Sequence, residues 1–260
     1  ATTLANRSYE LFNVVRAADP THVILLPGHN SGIDAYGNPN SRGLTNSSLW
    51  MHFYPGLWGW NDTAAYGAGQ ANMHANWLHC NQDGTGESCT WRDKINGIQT
   101  PFLVGEFQPW TLLGSYGGQI TRKTYDIYNM YGWAATNWAY KTTSNAGSNG
   151  NTDSWGWGMV QNSSNGGTMS NIDVNSASSA QIEAWFRSFA TQPLVRNENI
   201  AYWMNWKPTV GNRVEAEMFT NHKGIRMETT TDTGGGFNAG STDDNDWMSY
   251  PINIPTSGNY

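Results

Sequence analysis

Charge is scarce in this chain of 260 residues: 13% are charged, with 14 Lys+Arg against 20 Asp+Glu. So few cations leave no basic stripe for phosphates, which excludes nucleic acid as a partner. Long apolar runs are also missing. None approaches the roughly 20 residues that a membrane helix needs, so no membrane partner is expected. Cysteine is limited to Cys80 and Cys89, and without a CxxC spacing a zinc site is not expected. No GxGxxG and no P-loop occurs, and Gly234-Gly235-Gly236 follows no strand–helix pattern. Disorder is excluded as well, since 38% of the residues are hydrophobic and the net charge is only -6.

What the chain has instead is 14 Trp, 12 Tyr and 29 Gly. Trp and Tyr offer rigid, amphipathic faces. In a weakly charged chain they suit a neutral, flat-faced ligand, and sugars fit, because a C–H face can lie on a ring while hydroxyls bond nearby polar groups. The other use of so many aromatics is to fill a core. Between Cys80 and Cys89 runs a short polar stretch with Asp83, Gly84, Gly86 and Glu87. A disulfide there would contribute roughly 2–3 kcal/mol through loop entropy; two free thiols are the alternative. Polar Asn/Gly/Ser loops, few lysines and a disulfide together suggest an extracellular, secreted protein. No signal peptide is visible, so one was removed or lies outside this sequence.

The chain then alternates. Residues 8–18 have helical spacing, with Leu11, Val14, Val15 and Ala18 on one face, and Asp19-Pro20 ends them. Residues 22–27 form a short apolar run, expected as a strand buried on both faces. Residues 49–54 and 101–105 read as further strands, with Glu106 at the end of the latter. Residues 68–79 are a weak helix, 119–131 a stronger one, and 133–138 a fourth strand. A final helix spans 178–190, with Ile182, Trp185, Phe186 and Phe189 on one face. Residues 196–208 look like a connector. Beyond residue 213 the runs are short and alternating with no helical period, which predicts an all-β segment too short for the seven or so strands of a typical sandwich.

Strands alternating with helices predict parallel βαβ units. Polar side chains follow each strand: His29 and Asn30, His52 and Tyr54, Glu106, then Asn137 and Trp138. That is where a β/α barrel carries its active site. An open doubly wound sheet is the rival architecture.

Four stretches carry a resemblance. They are YELFNVVRAADPTHVILLPG from Tyr9, His52-Phe53-Tyr54, PFLVGEF ending at Phe107, and GWAATNWAYK from Gly132 with the later Trp155-Gly156-Trp157. In this order they resemble the C-terminal half of a family 5 glycoside hydrolase barrel, nearest its exo-β-1,3-glucanase branch. Val214-Glu215-Ala216-Glu217, Asp232 to Gly236, Asn245-Asp246-Trp247 and Tyr250 resemble the start of a family 6 carbohydrate-binding module. The resemblance implies an α/β fold: a (β/α)8 TIM barrel with about its last four strands present, over residues 1–205. A linker over 206–212 and part of a β-sandwich module over 213–260 would follow.

The resemblance also implies roles. Glu106 would be the nucleophile of a retaining hydrolase, and Trp138 the stacking platform for the sugar at the cleavage point. His52 and Tyr54 share a strand face, so both can point into the barrel mouth. Tyr54 is expected to donate to Glu106, and His52 to bond a sugar hydroxyl. Tyr140 and Lys141 would line the cleft, with His29 reaching the same mouth, and some of Trp58, Trp60, Trp110, Trp155 and Trp157 would touch substrate. Retention needs a second carboxyl roughly 5–5.5 Å from the first. In this family it belongs to an Asn-Glu pair ending the fourth strand, which would lie before Ala1. Asn197-Glu198 follows the final helix and cannot be that site. The chain is therefore expected to lack its acid/base.

Glu215 and Glu217 alternate on an expected strand, where a structural Ca²⁺ would relieve their repulsion; two solvated glutamates are the alternative. Asp243, Asp244 and Asp246 read as a turn. No cofactor is expected for catalysis and no obligate protein partner. The expected partner is a polysaccharide, a β-linked glucan. Two rivals stand beside this reading: a non-catalytic carbohydrate-binding protein with a degenerate barrel, and a complete small α/β enzyme drawing a second carboxylate from Asp62, Asp83, Glu87 or Asp153.

Overall fold

The computed structural model describes residues 2–28, 33–53, 78, 87–107, 114–142, 158–161, 172–191, 194–209, 211, 213–231 and 237–259. Strands β1 (Ile24–Pro27), β2 (Ser47–His52), β3 (Phe102–Phe107) and β4 (Ala134–Asn137) form one parallel sheet in chain order. The apolar runs predicted as strands are these strands, and the fold is mixed α/β. Connections within the sheet are helical: α2 (Glu87–Ile98) joins β2 to β3, and α3 (Gly114–Met130) joins β3 to β4. Parallel neighbours require such crossovers. Helix α2 was not expected from the sequence; its Ile95 and Ile98 are buried. The predicted helix at 68–79 lies outside the described residues except for helical Leu78.

Two expectations about burial are corrected. Helix α1 (Thr2–Ala18) buries Ala5, Ser8 and Phe12, not the predicted stripe. Leu11 and Val14 are 65% and 71% exposed. A polar contact goes with that choice of face. The Tyr36 hydroxyl donates to the Pro27 carbonyl at 2.7 Å and meets the Ser8 hydroxyl at 2.8 Å, so the Ser8–Phe12 side turns inward. Strand β1 is not covered on both faces either. It lies at the sheet edge beside β2, and Leu25 remains exposed while Leu26 is buried.

The core is aromatic. Phe102 packs edge-on to Trp133 with ring centroids 5.1 Å apart, and Phe107 packs edge-on to Tyr125 and Tyr128 of α3. Such rings each contribute roughly 2–3 kcal/mol by burial, with edge-to-face geometry adding about 1. Helix α3 buries Ile120, Ile127 and Tyr128. Its buried Thr121 and Thr124 hydroxyls donate to the Gly117 and Ile120 carbonyls one turn back, so neither is left unsatisfied.

Beyond β4 the chain forms a small sheet of β5 (Lys141–Thr142), β6 (Val160–Gln161) and β7 (Val195–Arg196). Helix α4 (Ser179–Ser188) starts at a capping box between Ser178 and Gln181. It buries none of its own residues. Trp185 instead packs on Phe186 and Phe189, at 5.1 and 4.8 Å. The expected connector at 196–208 contains a helix, α5 (Glu198–Asn205), capped by the Asn197 side chain on the Ile200 amide. Helix α5 lies close against α3, and Gly118 makes that approach possible. A Cβ there would come within 2.6 Å of the Asn199 carbonyl oxygen and of Trp203.

The C-terminal segment is β-rich, as predicted. Strand β8 (Asn221–Lys223) pairs antiparallel with β11 (Trp247–Ser249), and β9 (Arg226–Thr229) pairs antiparallel with β10 (Phe237–Gly240). Phe219, Ile225, Met227 and Phe237 join the same apolar cluster as the parallel sheet. Lys123 of α3 ties the two regions together. It is buried, its Nζ donates to the Glu217 and Phe219 carbonyls at 2.5 and 2.6 Å, and it lies 3.7 Å from the centre of the Phe219 ring. Burial lowers its pKa well below that of an ordinary lysine, with the nearby Glu217 and Asp126 charges opposing.

Candidate functional site

Strand β3 carries one more residue than its neighbours at its C-terminal end. Met51 pairs with Val104 but His52 with Glu106, and on the other side Ala135 pairs with Val104 but Asn137 with Phe107. This is a bulge, which re-aims side chains at a strand end. It lets Phe102, Val104 and Phe107 all stay buried while Glu106 keeps partial exposure. A strict two-residue alternation would have put Phe107 on the opposite face from Val104.

The bulge brings Glu106 to His52. His52 Nδ1 and Glu106 Oε2 are 3.0 Å apart, with side chains 36% and 23% exposed. Main-chain bonds extend the ladder beyond the strand ends here: Phe53 N donates to the Glu106 carbonyl and Trp138 N to the Phe107 carbonyl, both at 2.9 Å. Glu106, His52 and Trp138 are thus fixed by backbone at the same end of the sheet. Trp138 presents a 54% exposed side chain there, and its peptide bond to Ala139 is cis.

Two contributors escaped the sequence reading. Trp50, two residues before His52 on β2, lies 4.8 Å from the His52 ring. Gly105 makes room for both, since a Cβ on it would stand 2.6 Å from Trp50 Cε3 and 3.2 Å from His52 Cδ2. The signals were present: a Trp with the same parity as His52, and a glycine directly before the carboxylate. Thr136 adds support by donating to the Gly105 carbonyl at 2.5 Å. Asn137 turns to the helix side instead, where its Oδ1 accepts from the Tyr125 hydroxyl at 2.6 Å.

His52, expected to bond a sugar hydroxyl, contacts the Glu106 carboxylate. Tyr54 and His29 lie outside the described residues, as do Trp58, Trp60, Trp110, Trp155 and Trp157. So do Asp62, Asp83, Asp153 and Cys80; Glu87 and Cys89 fall in α2, with their side chains outside the description. Tyr140 is strongly exposed, and its backbone carbonyl accepts from Val160. Lys141 lies on β5, in the other sheet, and its Nζ donates to the Phe189 carbonyl at 3.3 Å. Asn197 caps α5 and Glu198 pairs with Arg196 at 2.8 Å.

The strand expected for Glu215 and Glu217 is corrected. Glu215 precedes a 3-10 turn, Ala216–Met218, that contains Glu217. The two carboxylates also have separate partners. Glu215 pairs with Arg213 at 3.0 Å, and Glu217 accepts from Gln119 of α3 at 2.5 Å. Among the described residues, no three His, Cys, Asp or Glu side chains gather as a metal site would need. Asp246 is part of a turn, accepting from the Asp243 amide at 2.8 Å.

No family model matches the chain, and no curated protein or solved structure matches it.

Proposed function

We propose that this chain carries the nucleophile half of a secreted retaining glycoside hydrolase acting on β-linked glucan. The observation that carries the reading is the 3.0 Å contact between His52 and Glu106 at the ends of adjacent parallel strands, with Trp138 exposed beside them. The sheet order supports it too: β1 to β4 run in chain order, as in a barrel, where a doubly wound sheet reverses at a switch point. In this reading His52 donates Nδ1–H to Glu106 and orients its carboxylate. A Glu106 oxygen bonds to the anomeric carbon as the glycosidic C–O bond breaks, and the departing oxygen takes a proton from an acid/base carboxyl. Water then attacks the same carbon, returns a proton to that carboxyl, and frees Glu106. The acid/base is assigned to no residue of this chain. The Trp138 face holds the sugar by stacking, and the C-terminal β segment, read as part of a carbohydrate-binding sandwich, raises the local concentration of polysaccharide.

An activated 2-deoxy-2-fluoro-β-glucoside with a dinitrophenolate leaving group tests this without needing an acid. Mass spectrometry of the digested chain is expected to find the sugar on the peptide containing Glu106, and none in Glu106→Gln. Binding of glucan oligosaccharides without labelling would replace this reading by that of a non-catalytic carbohydrate-binding protein.

A further inference from the structure

A cavity of about 460 Å³ lies between α3, the start of β4 and the end of α5, and neither Glu106 nor His52 lines it. Its size falls within the range of small-molecule sites. One wall is a single face of α3, with Arg122, Tyr125, Asp126 and Asn129 at helical spacing. Trp133 and Trp206 supply aromatic surface, and Lys207 stands at the α5 side.

The wall is built in advance. Arg122 Nε donates to both Asp126 oxygens at 2.9 Å, and its Nη1 donates to the Trp206 carbonyl at 2.5 Å and the Trp203 carbonyl at 3.1 Å. The guanidinium also lies 5.8 Å from the centre of the Trp206 ring. One side chain therefore fixes the carboxylate, the end of α5 and an aromatic face together. Preorganisation of this kind lowers the cost of binding.

The charges on the α3 wall largely cancel. Arg122 and Asp126 neutralise each other through their paired 2.9 Å contacts, which leaves Lys207 at the other side as the unmatched cation of the lining. A neutral ligand rich in hydroxyls suits such a wall. Its oxygens can accept from Lys207 and Asn129, its O–H groups can donate to lone pairs of Asp126 left over from Arg122, and an apolar face can lie on Trp206. We infer that this cavity is a second carbohydrate site, taking a neutral pyranoside and acting independently of Glu106. Burial raises the Asp126 pKa while Arg122 opposes, which fits a carboxylate held at a partly dry wall.

The test titrates the full chain with cellobiose and with laminaribiose, following the indole N–H signals of Trp206 and Trp133 by NMR. Both signals are expected to move, equally in wild type and in Glu106→Gln. Asn129→Trp, which fills the exposed rim, and Trp206→Leu, which removes the aromatic wall, are each expected to weaken binding at this site by about tenfold or more. Either variant suffices if the other does not fold. Three results would overturn the inference: no movement at tens of millimolar sugar, loss of movement in Glu106→Gln, or movement with glutamate or lysine but not with the sugars.

Discussion

Helices α1 and α3 are each 17 residues long, and both carry apolar residues at three- and four-residue intervals. Their fates differ. Helix α3 lies between the parallel sheet, α5 and the C-terminal strands, and even its Lys123 is buried. Helix α1 contacts β1 and the turn at Ile33–Tyr36, and leaves Leu11, Val14 and Val15 exposed. An apolar stripe is a capacity for burial. Whether it becomes core depends on what the rest of the fold sets against it.

The contrast can be broken most directly by truncating each helix. Ile127→Ala on α3 is expected to cost about 3–4 kcal/mol in urea unfolding, as for a fully buried side chain. Gly118→Val should cost about 3 kcal/mol in the same measurement, because its side chain must displace the Asn199 backbone or Trp203. If Gly118→Val is neutral, the close contact of α3 with α5 is wrong.

Gly105→Ala probes the end of the sheet that carries Glu106 rather than its core. Its Cβ would push on Trp50 and so move His52 from Glu106. Labelling of Glu106 by the fluoroglucoside is expected to slow by about a hundredfold, the usual scale for a displacement near 1 Å. An unchanged labelling rate would remove Trp50 and Gly105 from the site.

The interface between α3 and the C-terminal strands should respond to pH. Burial and the Lys123 charge lower the His222 pKa to about 4 from the usual 6.5, with Asp246 opposing. The native state therefore holds His222 neutral where the unfolded chain is already protonated. Stability is present in full above about pH 6.5 and is lost as pH falls toward 4, by about 2–3 kcal/mol from this residue. The urea midpoint of His222→Phe should fall less between pH 7 and 4.5 than that of wild type; equal falls would mean that other groups govern the loss. Val14→Ala on α1 stands at the small end, with an expected change within about 0.5 kcal/mol. A loss approaching that of Ile127→Ala would erase the distinction between the two helices.

The four strands were legible as short apolar or aromatic stretches set between helical spacing and turn residues, and Glu106 because it stands near the end of one of them. Its partner was not legible. Pairing His52 with Glu106 depends on a one-residue bulge, and register is a relation between strands that neither strand states alone. Helix α5 was missed although Asn197 stands before Ile200 and Trp203 at helical spacing, because eight residues among Asn, Pro and Trp are little to read. Lys123 gave no warning. A lysine is ordinarily surface, and only the carbonyls of a distant turn make its burial tolerable.

By itself the sequence determined the α/β alternation, the β-rich character of the C-terminal segment and the position of one carboxylate near the C-terminal end of a strand. These follow from local periodicity and turn chemistry, which act over a few residues. Tertiary structure alone decided which face of α1 turned inward, that His52 meets Glu106, that Glu215 and Glu217 take separate partners, and that Lys123 joins two regions. Each of these is set by groups far apart in the chain. Burial and hydrogen bonding reward such groups only after the backbone has brought them within a few ångströms.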